Sequence, residues 1–214
     1  MIPGLKGLVG HAQAASAQAQ WEWHLASDIG TDGTTHTHTG HSCTNQGMIT
    51  IASNDGASHT VSGVTWGGNA MTQADQYNRV GGSDPTSAIF VIDGDQTGDI
   101  VITWSAAQQR SRVNSFSLNV TSLTPLDNGG NGANSGSFTN AAITLDTAGS
   151  FSVYVISNDN PATAIVFTSP TDQVDDASLD AACRCGTAIY EGIHVTVAGT
   201  CHSAQYGISG ACFE

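Results

Sequence analysis

Ala88-Ile89-Phe90-Val91-Ile92 is a short apolar run rich in β-branched residues, opened by Pro85-Thr86-Ser87 and closed by Asp93-Gly94-Asp95. It is too short for a buried helix, and its ends carry turn chemistry. It therefore reads as a strand buried on both faces. Asp99-Ile100-Val101-Ile102-Thr103-Trp104 follows after a Gly/Asp-rich turn, and the two segments together read as a hairpin.

The same period of two spreads outward from this pair. Upstream, Met48-Ile49-Thr50-Ile51 opens the β region, and His59 to Trp66 alternates until Gly67-Gly68 ends it. Downstream, Arg112 to Thr121 alternates again, and Asp127 to Gly136 is a loop by its Asn/Gly composition. Ala142–Leu145, Phe151–Ile156, Ala164–Phe167, Tyr190–Val197 and Tyr206–Phe213 are further strand candidates. About ten strands with frequent turns and no amphipathic helix predict an all-β fold: a jelly-roll-like antiparallel β-sandwich over residues 47–214. Residues 1–46 read as an extended N-terminal arm and a polar His/Thr-rich connector, with a turn or two of helix expected in the Ala/Gln-rich stretch from His11 to Gln20.

Composition narrows the function. The chain has 214 residues, 11% of them charged, and a formal net charge of −13 from 18 acidic and 5 basic residues. A nucleic-acid binder needs a basic surface, and an anionic membrane attracts one; neither partner is expected here. The apolar run after Lys6 is shorter than a signal-peptide core, so synthesis in the cytoplasm is expected. The head of the arm (Ile2, Leu5, Leu8, Val9), with Trp21 and Trp23, is apolar and aromatic. Such a segment calls for a partner surface, and these six residues are the docking candidates.

Thr35-His36-Thr37-His38-Thr39-Gly40-His41-Ser42-Cys43 is the most unusual local pattern. In a strand His36 and His38 share a face, and a threefold axis would gather six imidazole nitrogens for a transition metal. The alternatives are a zinc site completed by His41 or Cys43, and a solvated linker. Cys183, Cys185, Cys201 and Cys212 crowd the last part of the chain. They are disulfide candidates, with a zinc site or buried free thiols as the other readings. The acidic run Asp172, Asp175, Asp176 and Asp180 reads as a solvated loop, and Asp93 to Asp99 as a turn lacking the acidic twelfth ligand of a calcium loop. No nucleophile elbow, phosphate loop or zinc-protease helix is present, so no catalytic residues are assigned and the expectation is a non-enzyme. Trp66, Trp104, Tyr77, Tyr154 and Tyr190 either line a sugar-binding face or fill the sandwich core.

Val61-Ser-Gly-Val-Thr-Trp-Gly-Gly-Asn-Ala-Met-Thr-Gln73, Ser87–Ile92 and Thr97–Trp104 together resemble the β-sandwich virion proteins of tailed phages and gene transfer agents. The resemblance spans roughly residues 47–121. It implies a virion structural protein: a capsid (head) decoration, a vertex-spike subunit or a tail appendage. The expected partners are a capsid or other virion protein and copies of itself, as a homotrimer or homopentamer. A tail-fibre or adhesin-type module that binds host surface glycan during attachment is the alternative. No cofactor is implied, beyond the candidate transition metal at His36 and His38.

Overall fold

The computed structural model describes residues 20–54, 59–79, 85–139, 150–169, 172–179, 183–191 and 197–214, and every element in them is a strand. The first part of the chain forms β1 (Trp21–Ile29), β2 (Gly33–Cys43), β3 (Gln46–Asn54), β4 (Val61–Trp66), β5 (Asn69–Ala70), β6 (Thr72–Asn78), β7 (Pro85–Asp93), β8 (Gln96–Gln108) and β9 (Ser111–Leu118). After a linker come β10 (Asp127–Thr139), β11 (Phe151–Asn158), β12 (Val166–Ser169), β13 (Asp172–Ser178), β14 (Arg184–Glu191) and β15 (Ala198–Phe213).

Three antiparallel sheets result. A five-stranded sheet runs β1-β9-β3-β7-β6 and a four-stranded sheet runs β2-β8-β4-β5. A six-stranded sheet runs β10-β15-β11-β14-β13, with β12 also on β15. In the first two, β1 pairs with β9, β2 with β8, β3 with β7 and β4 with β5. Outermost strands pair first and the pairing closes inward, as in one long hairpin rolled upon itself. The β3–β9 and β4–β8 pairs complete the two sheets.

The five-stranded sheet is the middle layer. Successive side chains of a strand face opposite ways, and here both faces are apolar. Met48, Ala52, Ile89, Val91, Phe116 and Leu118 meet Phe151, Val153, Val155, Ile189 and Phe213 of the six-stranded sheet. Their alternates Ile49, Ile51, Ala88, Phe90, Ile92 and Val113 meet Val64, Trp66, Ile100, Ile102 and Trp104 of the four-stranded sheet. A third apolar layer lies on the far face of the six-stranded sheet, where Phe138, Ile165, Phe167 and Val197 cover Tyr154, Ile156 and Ile208.

The all-β sandwich and the doubly buried Ala88–Ile92 strand are as the sequence predicts. Four other readings need correction. β7 and β8 follow one another but sit in different sheets, so they form no hairpin. Residues 20–46 are not an arm and connector: β1 and β2 are the edge strands of the first two sheets, because Thr/His alternation is itself a strand pattern with β-branched Thr outside. The Asn/Gly-rich stretch at 127–136 is the start of β10 rather than a loop. Asp175 and Asp176 lie on β13, where Arg112 and Arg184 pair with them. Residues 1–19 and the Ala142–Leu145 strand candidate lie outside the described residues.

Candidate functional site

His36 and His38 point into the sandwich, not out of it. Both are 1% exposed, as is His41. The register of β2 slips between His38 and His41, where Gly40 takes φ +80°. This bulge resets the alternation, so His41 faces inward like the other two. All three imidazoles meet serines of β1 and β9.

The contacts form one continuous hydrogen-bonded row. His36 Nε2 lies 2.9 Å from the Gln108 carbonyl oxygen, and His36 Nδ1 lies 2.7 Å from Ser111 Oγ. Ser111 Oγ is also 3.0 Å from His38 Nε2. Ser27 Oγ bridges His38 Nδ1 and His41 Nε2, at 2.8 Å to each. Ser115 Oγ ends the row 2.8 Å from His41 Nδ1.

Proton counting gives the row a direction. A carbonyl only accepts, so His36 Nε2–H donates to Gln108 and a neutral His36 accepts at Nδ1 from the Ser111 hydroxyl. Ser111 has then used its one proton and accepts from His38 Nε2–H. Ser27 repeats the pattern between His38 and His41, and the Ser115 hydroxyl, 3.4 Å from the Leu25 carbonyl oxygen, gives its one proton to the nearer acceptor, His41 Nδ1. All three histidines are therefore the neutral Nε2–H tautomer. Burial holds them neutral: it lowers His36 below the usual value, His38 to about 3 and His41 to about 4.

Every imidazole nitrogen in the row is occupied, so the expected metal site at His36 and His38 is corrected. Neither histidine can reach a symmetry axis or offer a lone pair. Among the described residues no group of three or more His, Cys, Asp or Glu side chains is arranged to hold a metal. A Ser–His pair is also the unit of nucleophilic catalysis. Here the three imidazoles, Ser111 and Ser115 are packed between sheets, out of reach of a substrate, and Ser27 is half-buried.

The disulfide candidates are corrected too. Cys183, Cys185, Cys201 and Cys212 are buried thiols not joined in disulfides, as is Cys43. Cys183 and Cys185 lie in the layer against the middle sheet, whereas Cys201 and Cys212 lie in the layer on the opposite face of the six-stranded sheet. A sheet stands between the two pairs. Burial raises Cys43 and Cys201 to about 11 and Cys185 well above its ordinary value, so these thiols are inert packing groups.

Of the docking candidates, Ile2, Leu5, Leu8 and Val9 lie outside the described residues. Trp21 turns inward: its ring meets Phe116 edge-on, with centroids 6.4 Å apart, and its Nε1–H donates to Glu191 Oε1 at 2.8 Å. Trp23 is 43% exposed and Leu25 37% exposed on the edge strand β1, and the register shift between them turns the two side chains to opposite faces of the sheet. The proposed sugar-binding aromatics do not form a face. Trp66, Trp104 and Tyr154 fill cores, Tyr190 packs on the third layer, and Tyr77 lies against the glycines of β10.

Two of the surface cavities are lined by described residues. One, of about 390 Å³, lies where β6 and the end of β7 meet the Leu123–Pro125 linker, with Asp93 and Gln73 on its rim. The other, of about 160 Å³, lies between β1, the Thr44-Asn45 turn and the end of β9. Sequence reasoning missed both, because each is assembled from segments far apart in the chain. No family model matches the chain, and no curated protein and no solved structure matches it. Its fold alone defines its class: an all-β protein of stacked antiparallel sheets.

Proposed function

We propose that the chain is a non-enzymatic virion structural protein, a head decoration or vertex-spike subunit, anchored through its N-terminal segment and the edge strand β1. The observation that carries this reading is the exposure of two large apolar side chains, Trp23 and Leu25, on the outermost strand of the middle sheet. The apolar head Ile2, Leu5, Leu8 and Val9 precedes this strand in the sequence. An edge strand offers unpaired backbone groups as well as side chains, and a partner strand uses both. The rolled-hairpin pairing supports a jelly-roll reading, and jelly rolls are common among virion and lectin domains. The excess of acidic over basic residues suits display in many copies without non-specific adhesion.

The test is particle association. Particles from the source culture are banded on a density gradient and probed with an antibody to the chain. Wild-type protein is expected in the particle band. Protein lacking residues 1–19 is expected to fold, as judged by its far-ultraviolet spectrum, yet to stay at the top of the gradient. A chain absent from the particles would overturn the reading. Light scattering of both forms gives the assembly state: a closed trimer or pentamer that survives truncation places subunit contacts in the sandwich, and a monomer in both forms removes the self-assembling spike.

A further inference from the structure

The groove at the Leu123–Pro125 linker lies within reach of the chain's own apolar head. More than half of its described walls are apolar: Ala70, Val91, Ile92, Leu123 and Pro125. Its volume of about 390 Å³ falls within the roughly 300–1,000 Å³ of pockets that hold a ligand. It opens at the end of the middle sheet where β6 begins and β7 stops, since Thr72 pairs with Val91 and Gln46 with Asp93. β1 begins at that same end, because Trp21 pairs with Leu118 and Leu118 with Gln46. Just before β1, the Gln20 carbonyl accepts from the Asn119 N–H at 2.9 Å. The chain entering β1 therefore stands beside the start of the linker that runs from β9 to the groove. That linker measures the route. Gln46 of β3 pins it on the way: its Nε2 donates to the Val120 carbonyl at 3.2 Å, and its Oε1 accepts the Val120 N–H at 3.0 Å. By Leu123 the linker is already at the groove.

We propose that this groove is the docking site of the head residues Ile2, Leu5, Leu8 and Val9 of the same chain. Length permits it. From β1 to β6 is four strand spacings, about 19 Å at ~4.8 Å each, whereas residues 10–20 span about 36 Å when extended. Charge favours it. Lys6 is the one Lys, Arg, Asp or Glu among residues 1–19, and Asp93 is the one among the groove's described walls, exposed on the rim. The two are opposite in sign, and each is set among apolar residues. The tether selects this occupant over others: a linked segment is present at an effective concentration on the order of millimolar. A second copy or a foreign partner must also meet the cost of association. On the particle reading, the groove holds the head in the free subunit and yields it on assembly. The docking itself does not depend on that reading, so docking and particle association can fail separately.

The experiment uses the full chain with Gly4→Cys carrying a nitroxide spin label; the five native thiols are buried and stay unlabelled. In ¹⁵N-labelled protein the nitroxide is expected to broaden the backbone N–H signals of Thr72, Gln73 and Thr124. Those of Ser53 and Arg112, which pair with neighbours at the far end of the sheet, should stay sharp. Leu5→Asp combined with Leu8→Asp is expected to abolish the broadening and to leave the far-ultraviolet spectrum unchanged. Lys6→Glu should lessen it, and Asp93→Lys added to Lys6→Glu should restore it. No broadening at the groove, or broadening that survives the double Asp variant, would overturn the proposal. Unlabelled protein bearing the nitroxide is also mixed with ¹⁵N-labelled wild type. Broadening at the groove in that mixture would put the head of a second copy there and overturn docking within one chain.

Discussion

Tyr77 of β6 lies flat across Gly132 of β10: a Cβ on Gly132 would sit 2.6 Å from Tyr77 Cε1 and 2.5 Å from the Tyr206 carbonyl oxygen. A Cβ on Gly130 would sit 2.6 Å from Tyr77 Cβ, and one on Gly207 would sit 3.1 Å from Tyr77 Cδ1. The ring supplies the contacts that three glycines lack. In this way the edge of the middle sheet is seated on the six-stranded one.

Gly132→Ala is therefore expected to destabilise the protein by about 1–3 kcal/mol, the usual penalty of overpacking. Adding Tyr77→Ala should recover only part of the loss, because the Tyr206 carbonyl still opposes the new methyl group. Urea denaturation of the three variants checks this. A neutral Gly132→Ala would show that the ring does not press on β10.

The histidine row makes stability depend on pH. His38 and His41 have folded values of about 3 and 4 against an ordinary 6.5, so between these limits the unfolded chain binds protons that the folded chain refuses. Their contribution is complete above about pH 6.5. It is lost as pH falls, by about 1.4 kcal/mol per pH unit for each histidine, and it levels off once the folded values are reached. Urea midpoints between about pH 7 and pH 4.5 should show this slope, and His38→Leu should reduce it by one proton. An unchanged slope would mean that the buried imidazole does not carry it.

Ser111→Ala tests the row itself. It leaves His36 Nδ1 without a donor and His38 Nε2–H without an acceptor, both buried. Each orphaned group is expected to cost roughly 1–3 kcal/mol. The ¹⁵N spectrum of the imidazoles should show three Nε2–H tautomers in the wild type, and a changed signal for His36 and His38 in the variant.

Arg112 ties the two halves of the chain together. Its Nε and Nη2 donate to the two oxygens of Asp175, at 2.5 and 2.9 Å, and its Nη1 donates to Asp28 at 2.6 Å. The Arg112–Asp175 pair is largely buried, so Arg112→Met alone should cost about 3–5 kcal/mol by stranding a carboxylate. Arg112→Met with Asp175→Leu should cost less than the sum of the single changes, as a double-mutant cycle in urea would reveal.

The five buried thiols should resist Ellman's reagent in the native state and react together only in denaturant. The thermal midpoint should not change when reductant is added. Rapid reaction of Cys201 or Cys212 in folded protein would contradict their burial.

The residues that fill the apolar layers, Met48 to Ile51, Ala88 to Ile92 and Ile100 to Trp104, were legible as strands because period-two burial writes itself into composition. β10 was not. Its Asn/Gly sequence has no strand propensity of its own, and the pairing with β15 and the Tyr77 ring override it. The shared face of His36 and His38 was correctly read, but not its direction. Inward imidazoles are satisfied by Ser27, Ser111 and Ser115, and no local pattern marks a serine as the partner of a distant histidine. The cleft at Trp21 was likewise hidden, since Trp21, Asn45 and Asn119 meet only through sheet pairing.

A middle sheet with two occupied faces imposes an order on synthesis. A nascent chain that has reached Leu118 holds every strand of its first two sheets, yet Met48, Ile89, Val91 and Phe116 still face water. They stay bare until Phe151 to Phe213 have been translated and have settled over them. During that interval the half-made protein is a sheet with one greasy side, and it depends on its own unfinished C-terminal half, or on a chaperone standing in for it, to avoid sticking to its neighbours.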